Sequence, residues 1–309
     1  MKMILANIHN KQESLFFVVL ILSLLLYPWL SVKSFAFASE SNFAKDTVNG
    51  QLRVVGSTTI QPIIQSVAQL YADSSGVEVA SSGGGSFFGI SSVRDKTADM
   101  GMVSRELTSE ENQEFDHVVI GYDAVAVIVN SVNPKQSITK KELRDIYTCK
   151  TKKWSAGLED HNDILPISKK VGRGTLHVFE SYTGLVSPFH QETQPAGQET
   201  ICSAAWEAGA NLDSILWVGG IRGAIGFVST ADARQFIKMG TTIRILEVDG
   251  ANPLPELVSK DKYPLTRKLH LVFVHENDEA EQFVEYILSE PGQAEVLRQG
   301  FVPVNPRCQ

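Results

Sequence analysis

Residues 81–89 read Ser-Ser-Gly-Gly-Gly-Ser-Phe-Phe-Gly, and no other stretch restricts the fold of this chain as much. Three consecutive glycines have no Cβ to hold other groups away from the backbone, and they accept positive φ without steric cost. The run follows a short apolar stretch, 77–80, and precedes a segment, 89–96, that can coil into a helix. A strand, a glycine turn and a helix start in that order aim unpaired N–H groups at one spot. Such a spot suits an anion, because the positive end of the helix dipole adds to the amides. A Gly/Ser run by itself reads equally well as a mobile linker. The weight therefore falls on two further stretches of the same construction, Gly56-Ser57-Thr58-Thr59 and Gly172-Arg173-Gly174-Thr175.

The pattern around these turns alternates strand and helix. Apolar runs at 52–55, 77–80, 98–103, 124–130, 164–168, 224–229 and 269–274 read as strands. The run 124–130 is continuously apolar up to its closing Asn130, as a strand buried on both faces requires. Ile60, Ile63, Ile64, Val67, Leu70 and Tyr71 recur at helical spacing. Segments 109–115, 140–147, 175–182 and 280–288 read as further helical pieces. This alternation predicts an α/β architecture with mainly parallel sheets flanked by helices.

The N-terminus reads as a targeting segment. Lys2 and Lys11 precede the apolar stretch 15–30, and Ala36-Phe37-Ala38 has the small-x-small form of a cleavage site. Residues 1–38 are expected to be a signal peptide, placing the mature chain in the periplasm or outside the cell. Their loss removes three lysines and one glutamate, taking the net charge from −7 to −9. So acidic a chain, with no basic patch, is not expected to bind nucleic acid. It also repels anions at long range, so any bound anion must be held by local dipoles and a few placed cations. Cys149, Cys202 and Cys308 fit no metal spacing. In an oxidising compartment one bridge can form, and Cys149–Cys202 is the pair to test first, against three free thiols. The scattered histidines form no HExxH motif, so neither metal nor cofactor is expected.

Four strand-to-helix edges supply candidate ligand groups. Ser57, Thr58 and Thr59 stand in a row behind a glycine, where a simple helix cap needs one hydroxyl. Gly174 and Thr175 open a helix beside Arg173, with Lys169 a further candidate cation. Ser86 closes the glycine run. Ser104 and Arg105 follow the strand 98–103. Arg105 either holds a ligand bidentately or pairs with Glu106 or another carboxylate. In open α/β sheets ligands collect beyond the carboxyl ends of strands, so these loops can enclose one small oxyanion.

The chain resembles the periplasmic phosphate-binding proteins of ABC-type phosphate importers over roughly residues 52–304. The residues that carry the likeness are Gly56-Ser57-Thr58-Thr59-Ile60-Gln61-Pro62, Gly83-Gly84-Gly85-Ser86 and the stretch 98–107. Leu143-Arg144-Asp145-Ile146-Tyr147, Gly174-Thr175, the stretch 223–229 and Tyr263-Pro264-Leu265-Thr266-Arg267 continue it. The resemblance implies a two-lobe periplasmic-binding-protein fold with a hinge of two crossing strands. Lobe one would be 48–123 plus 267–309, and lobe two 124–266. It further implies a monomer that binds inorganic phosphate without turnover and presents it to a membrane permease. Thr58, Thr59, Ser86, Ser104 and Thr175 would line the ion, with Arg105 beside Ser104. The family's third loop usually reads Gly-Ser-Gly-Thr; here Arg173 stands where the serine belongs.

Three other readings stay open at this point. Another tetrahedral oxyanion, sulfate or a molybdate-like ion, would suit the same architecture. A sensor or adhesin on the same fold would not deliver to a permease. An exported phosphatase or serine hydrolase would need a Gly-x-Ser-x-Gly elbow or a metal cluster, and neither is found.

Overall fold

The computed structural model describes residues 51–155, 163–190 and 197–304. The expected signal peptide at 1–38, its cleavage site and Cys308 lie outside the described residues.

The strands are β1 (Gln51–Gly56), β2 (Glu78–Gly83), β3 (Met100–Val103), β4 (Asp116–Asn130), β5 (Ser137–Ile138), β6 (Leu165–Lys169), β7 (Trp206–Ala208), β8 (Ala224–Ser229), β9 (Ile243–Ile245), β10 (Glu247–Val248), β11 (Thr266–Phe273) and β12 (Val302–Pro303). The helices are α1 (Gln61–Ser75), α2 (Ser86–Arg94), α3 (Ser109–Glu114), α4 (Lys140–Tyr147), α5 (Gly174–Thr183), α6 (Asn211–Gly220), α7 (Thr230–Lys238), α8 (Pro255–Val258), α9 (Asp278–Leu288) and α10 (Glu290–Arg298). None of these helices is long and apolar enough to cross a membrane.

One sheet runs in the order β2-β1-β3-β11-β4-β8-β6-β7, and β9 and β12 also pair with β4. Its two ends are parallel: β1 pairs with β2 and β3 at one, and β6 with β7 and β8 at the other. The middle is antiparallel. There β11 lies between β3 and β4, and β4 pairs with β8. The expected strand 124–130 is thus the second half of a 15-residue strand. Its first half, with Asp116 and His117, is only partly buried and gave no continuous apolar run.

The apolar side chains gather on either side of this middle. Leu52, Val54, Ile63, Ile64, Val67, Leu271, Phe283 and Ile287 form one cluster. Val127, Leu143, Tyr147, Phe179, Phe227 and Leu265 form another, and Ile128, Ile167, Ile215 and Val228 pack on the opposite face of the same strands. Helix α1 shows how the sequence makes these elements. Pro62 lies in its first turn, its stripe of Ile63, Ile64, Val67 and Tyr71 is buried, and Gly76 ends it in a left-handed conformation. Each such side chain stabilises the fold by roughly 1.5–3 kcal/mol. Cys149 and Cys202 are joined in a disulfide that ties the end of α4 to the segment before β7.

Helix α2 starts at Ser86 rather than near Gly89, because Gly85 (φ 107°) completes the turn one residue before it. Helices α6, α7 and α10 had no sequence assignment; their apolar stripes are short and broken by polar residues.

Candidate functional site

The turns singled out in the sequence meet. Ser57, Thr58, Thr59, Gly85, Ser104, Lys169, Arg173, Gly174, Thr175, Gly209 and Asn211 line a small, tightly closed hollow of about 10 Å³ between the carboxyl ends of β1, β3 and β6. Two glycines permit the approach. A Cβ on Gly174 would stand 2.6 Å from Ser86 Oγ and 2.7 Å from Ser104 Oγ. One on Gly85 would stand 3.0 Å from the Gly172 carbonyl oxygen, and Phe87 N–H donates to that oxygen at 3.0 Å.

The amides of the glycine run are engaged elsewhere than expected. Those of Gly84 and Gly85 donate to the Gly56 carbonyl, at 2.7 and 2.9 Å, tying two turns together. The open donors are others: the amides of Thr58, Gly174 and Thr175 have no partner among the described residues. Helix α5 has no side-chain cap and no acidic residue in its first turn. Its positive end is therefore left for an outside acceptor.

The hydroxyls form a ring of bonds. Ser57 Oγ accepts from Thr59 N at 3.2 Å and donates to Ser104 Oγ at 2.8 Å. Ser86 Oγ accepts from Ser104 N at 3.0 Å, so Ser86 braces Ser104 from behind and does not line the hollow.

Arg267 was quoted in the sequence without a role, and its place is central. It is 1% exposed and stands opposite Asp123 across β11 and β4. Its Nε and Nη2 donate to Asp123 Oδ2 at 3.1 and 2.6 Å. Its remaining donors reach the hydroxyls: Nη1 to Thr175 Oγ1 at 3.0 Å and Ser104 Oγ at 3.3 Å, Nη2 to Thr59 Oγ1 at 3.2 Å. An oxygen that accepts from a guanidinium must turn its own proton elsewhere. Arg267 thus points the protons of Thr59 and Thr175 away from itself, while Asp123 neutralises its charge.

The cations separate in their roles. Arg173 Nη1 is buried and has no hydrogen-bond partner among the described residues. Burial lowers the affinity of the guanidinium for its proton, with Asp213 opposing. An unpartnered buried donor of this kind costs about 1–3 kcal/mol until an acceptor arrives. Lys169, 1% exposed, donates to Ala210 O at 2.8 Å and Ser214 Oγ at 2.6 Å, bracing the start of α6. Burial brings its ammonium down to about 7, against the pull of Asp213 and Asp232. Arg105 is placed otherwise. It forms a bidentate pair with Glu111 at 2.7 Å on each arm and does not line the hollow. Of the alternatives left open for it, the carboxylate partner is the one the structure has.

Asn211, Gly209 and Asp232 were missed as well. Asn211 opens α6, and its Nδ2 donates to Thr59 Oγ1 and to Asp232 Oδ2. Gly209 stands two residues before it, but the strand ahead of that glycine, Trp206–Ala208, is too short to register as an apolar run.

A family model described as a PBP superfamily domain matches residues 41–291. The phosphate-binding protein PstS 2 of Streptococcus pneumoniae is 36% identical over 120 residues, 38% of this chain and 41% of that protein. The match therefore spans about two fifths of that relative's length. The phosphate-binding protein PstS of Bacillus subtilis is 24% identical across 86% of this chain and 85% of its own. Among solved structures, a chain from Clostridium perfringens described as a phosphate ABC-transporter substrate-binding protein, with phosphate bound, superposes with a TM-score of 0.71. It is 25% identical, over 83% of this chain and all of that one.

Proposed function

Because the chain belongs to the PBP superfamily, we propose that it is an extracytoplasmic solute-binding protein that captures inorganic phosphate and delivers it to an ABC-type importer. The observation that carries this is the hollow itself. Open amides of Thr58, Gly174 and Thr175, hydroxyls turned by Arg267 and the unpartnered Arg173 Nη1 converge on one small hollow rich in donors, as capture of a small oxyanion requires. Donors placed in advance replace the water shell of the ion, and the charge-assisted bond from Arg173 adds attraction that the acidic whole does not supply.

The lobes, 48–123 with 267–309 and 124–266, close by rotation about the long strands β4 and β11. One lobe brings Ser57, Thr58, Thr59 and Ser104, the other Arg173, Gly174, Thr175 and Asn211. The ion completes the set, and closure follows from its differential contacts in the shut form. The Cys149–Cys202 bridge suits an exported chain. The protein acts as a monomer without turnover, and its partner is a membrane permease.

Titration calorimetry of the purified protein with phosphate tests this reading. One ion per chain, bound with a Kd on the order of 1 μM or tighter, is expected. Absence of binding at millimolar phosphate removes it.

A further inference from the structure

A second, larger cavity lies where the two lobes meet away from the hollow. It measures about 480 Å³, within the range of small-molecule sites. Ala231, Arg234, Gln235 and Lys238 recur at helical spacing, so one face of α7 forms its wall. Asp232, on another face of that helix, holds Asn211 beside the hollow. Pro255 and Glu256 of α8 extend the wall, and Leu297, Phe301 and Pro303 supply the facing one. The first set belongs to the lobe 124–266 and the second to 267–309, so the groove spans both. The lobes touch inside it: a Cβ on Gly300 would stand 3.5 Å from Ala231 Cβ.

The groove continues inward. Arg234, Pro255, Gly300 and Val302 also line a neighbouring crevice of about 10 Å³, together with Tyr122, Asp123 and Ala124 of β4. Asp123 is the carboxylate that holds Arg267, and Arg267 reaches the hydroxyls of Thr59 and Thr175. Contiguous contacts therefore link groove and hollow. The polar groups of the groove indicate its occupant. Arg234 Nη2 donates to Pro253 O at 2.7 Å, and its other guanidinium donors have no partner among the described residues. Lys238, one turn along α7, is exposed and has none either. Arg298 is paired with Glu295, and Glu256 is the one carboxylate in the lining. A half-buried guanidinium with free donors matches a carboxylate, sulfonate or phosphate ester. Leu297, Phe301 and Pro303 match an apolar body.

We propose that this groove is a second ligand site, for a small organic anion with an apolar body, coupled to anion capture through β4 and Arg267. The hollow is shut and the groove stands open in the same conformation. An occupant that fits the groove as it stands therefore binds the shut form. By linkage it strengthens phosphate binding, and phosphate strengthens its binding to the same degree. The coupling rests on the capture reading above; the site itself does not.

The test uses 8-anilinonaphthalene-1-sulfonate, a fluorescent anion with flat apolar rings, on the purified protein. Its fluorescence is expected to saturate, and saturating phosphate to tighten dye binding about fivefold or more. Lys238→Glu replaces an exposed cation of the groove, one that does not line the hollow, by a carboxylate. It should weaken the dye at least about tenfold and leave phosphate affinity, measured without dye, within about twofold. Dye binding that never saturates, or that is unchanged in Lys238→Glu, overturns the site. Saturable binding that depends on Lys238 but that phosphate leaves alone or weakens overturns the coupling and leaves the site standing. If phosphate does not bind at all, the capture reading and the coupling fall together. The dye titrations of the unmutated chain and Lys238→Glu then still decide the site.

Discussion

Helix starts in this molecule are finished in two different ways. At three starts away from the hollow a side chain of the protein satisfies the helix amides. Thr108 and Glu111 form a capping box on α3, Thr139 and Glu142 do the same on α4, and Asn277 caps α9. At two starts beside the hollow it does not, although Asp213 there accepts from the amides of Gly209 and Ala210 ahead of α6. Helices α2 and α5 have neither a side-chain cap nor an acid in the first turn, and the amides of Gly174 and Thr175 stay open. The same contrast separates two arginines. Arg105 is closed by Glu111, whereas Arg173 Nη1 has no partner among the described residues. A capped helix start contributes stability, and an uncapped one facing a hollow is set up for a ligand. The difference marks where the protein gives up local stability for binding.

That contrast can be broken at several points. The largest effect is expected at Arg267, which serves both functions. Arg267→Met leaves Asp123 buried without its cation and should lower stability by about 3–5 kcal/mol. The hydroxyls of Thr59 and Thr175 lose their orientation at the same time, so phosphate binding should fail even where a chemical melt shows folded protein. Next comes Arg105→Ala. Its pair with Glu111 is nearly buried, so the melt should show a loss of about 2–3 kcal/mol, with phosphate affinity unchanged within about twofold. Arg173→Ala should do the reverse, weakening phosphate at least about tenfold in a titration while stability holds or rises.

Lys169 sharpens the comparison through pH. Its ammonium titrates near 7 in the empty site. A base with a depressed pKa is charged below that value and neutral above it, and a bound anion favours the charged form. Phosphate affinity should therefore fall as pH rises above about 7, by at most about tenfold per unit, and Lys169→Met should flatten that slope relative to the unmutated chain. The smallest effect belongs to the capped starts. Thr108→Ala or Thr139→Ala should each cost about 1 kcal/mol in a melt and leave the titration curve where it was.

Much of the site was legible in the sequence, for a physical reason. A turn that must approach a ligand closely needs glycine, and a turn that must donate needs hydroxyls, so Ser57, Thr58, Thr59, Gly174 and Thr175 announced themselves locally. What escaped was long-range. Arg267 and Asp123 face each other only through the antiparallel register of β11 and β4, 144 residues apart in the chain. Asn211 reaches Thr59 across 152 residues. For Arg105 the signal was present but undecided: Thr-x-x-Glu at 108–111 is a capping-box pattern, and it places Glu111 within reach. The strand pairing behaved alike. Apolar runs revealed the parallel ends of the sheet, while the half-buried first part of β4 concealed how far the antiparallel middle extends.

The most direct test of the open helix starts is a crystal structure of the protein grown with arsenate, whose anomalous signal locates the ion. One arsenate in the hollow, within about 3 Å of the Gly174 and Thr175 amides and of Arg173 Nη1, is the predicted result. An ion bound elsewhere, with those amides still unpartnered and the hollow holding water alone, would contradict it.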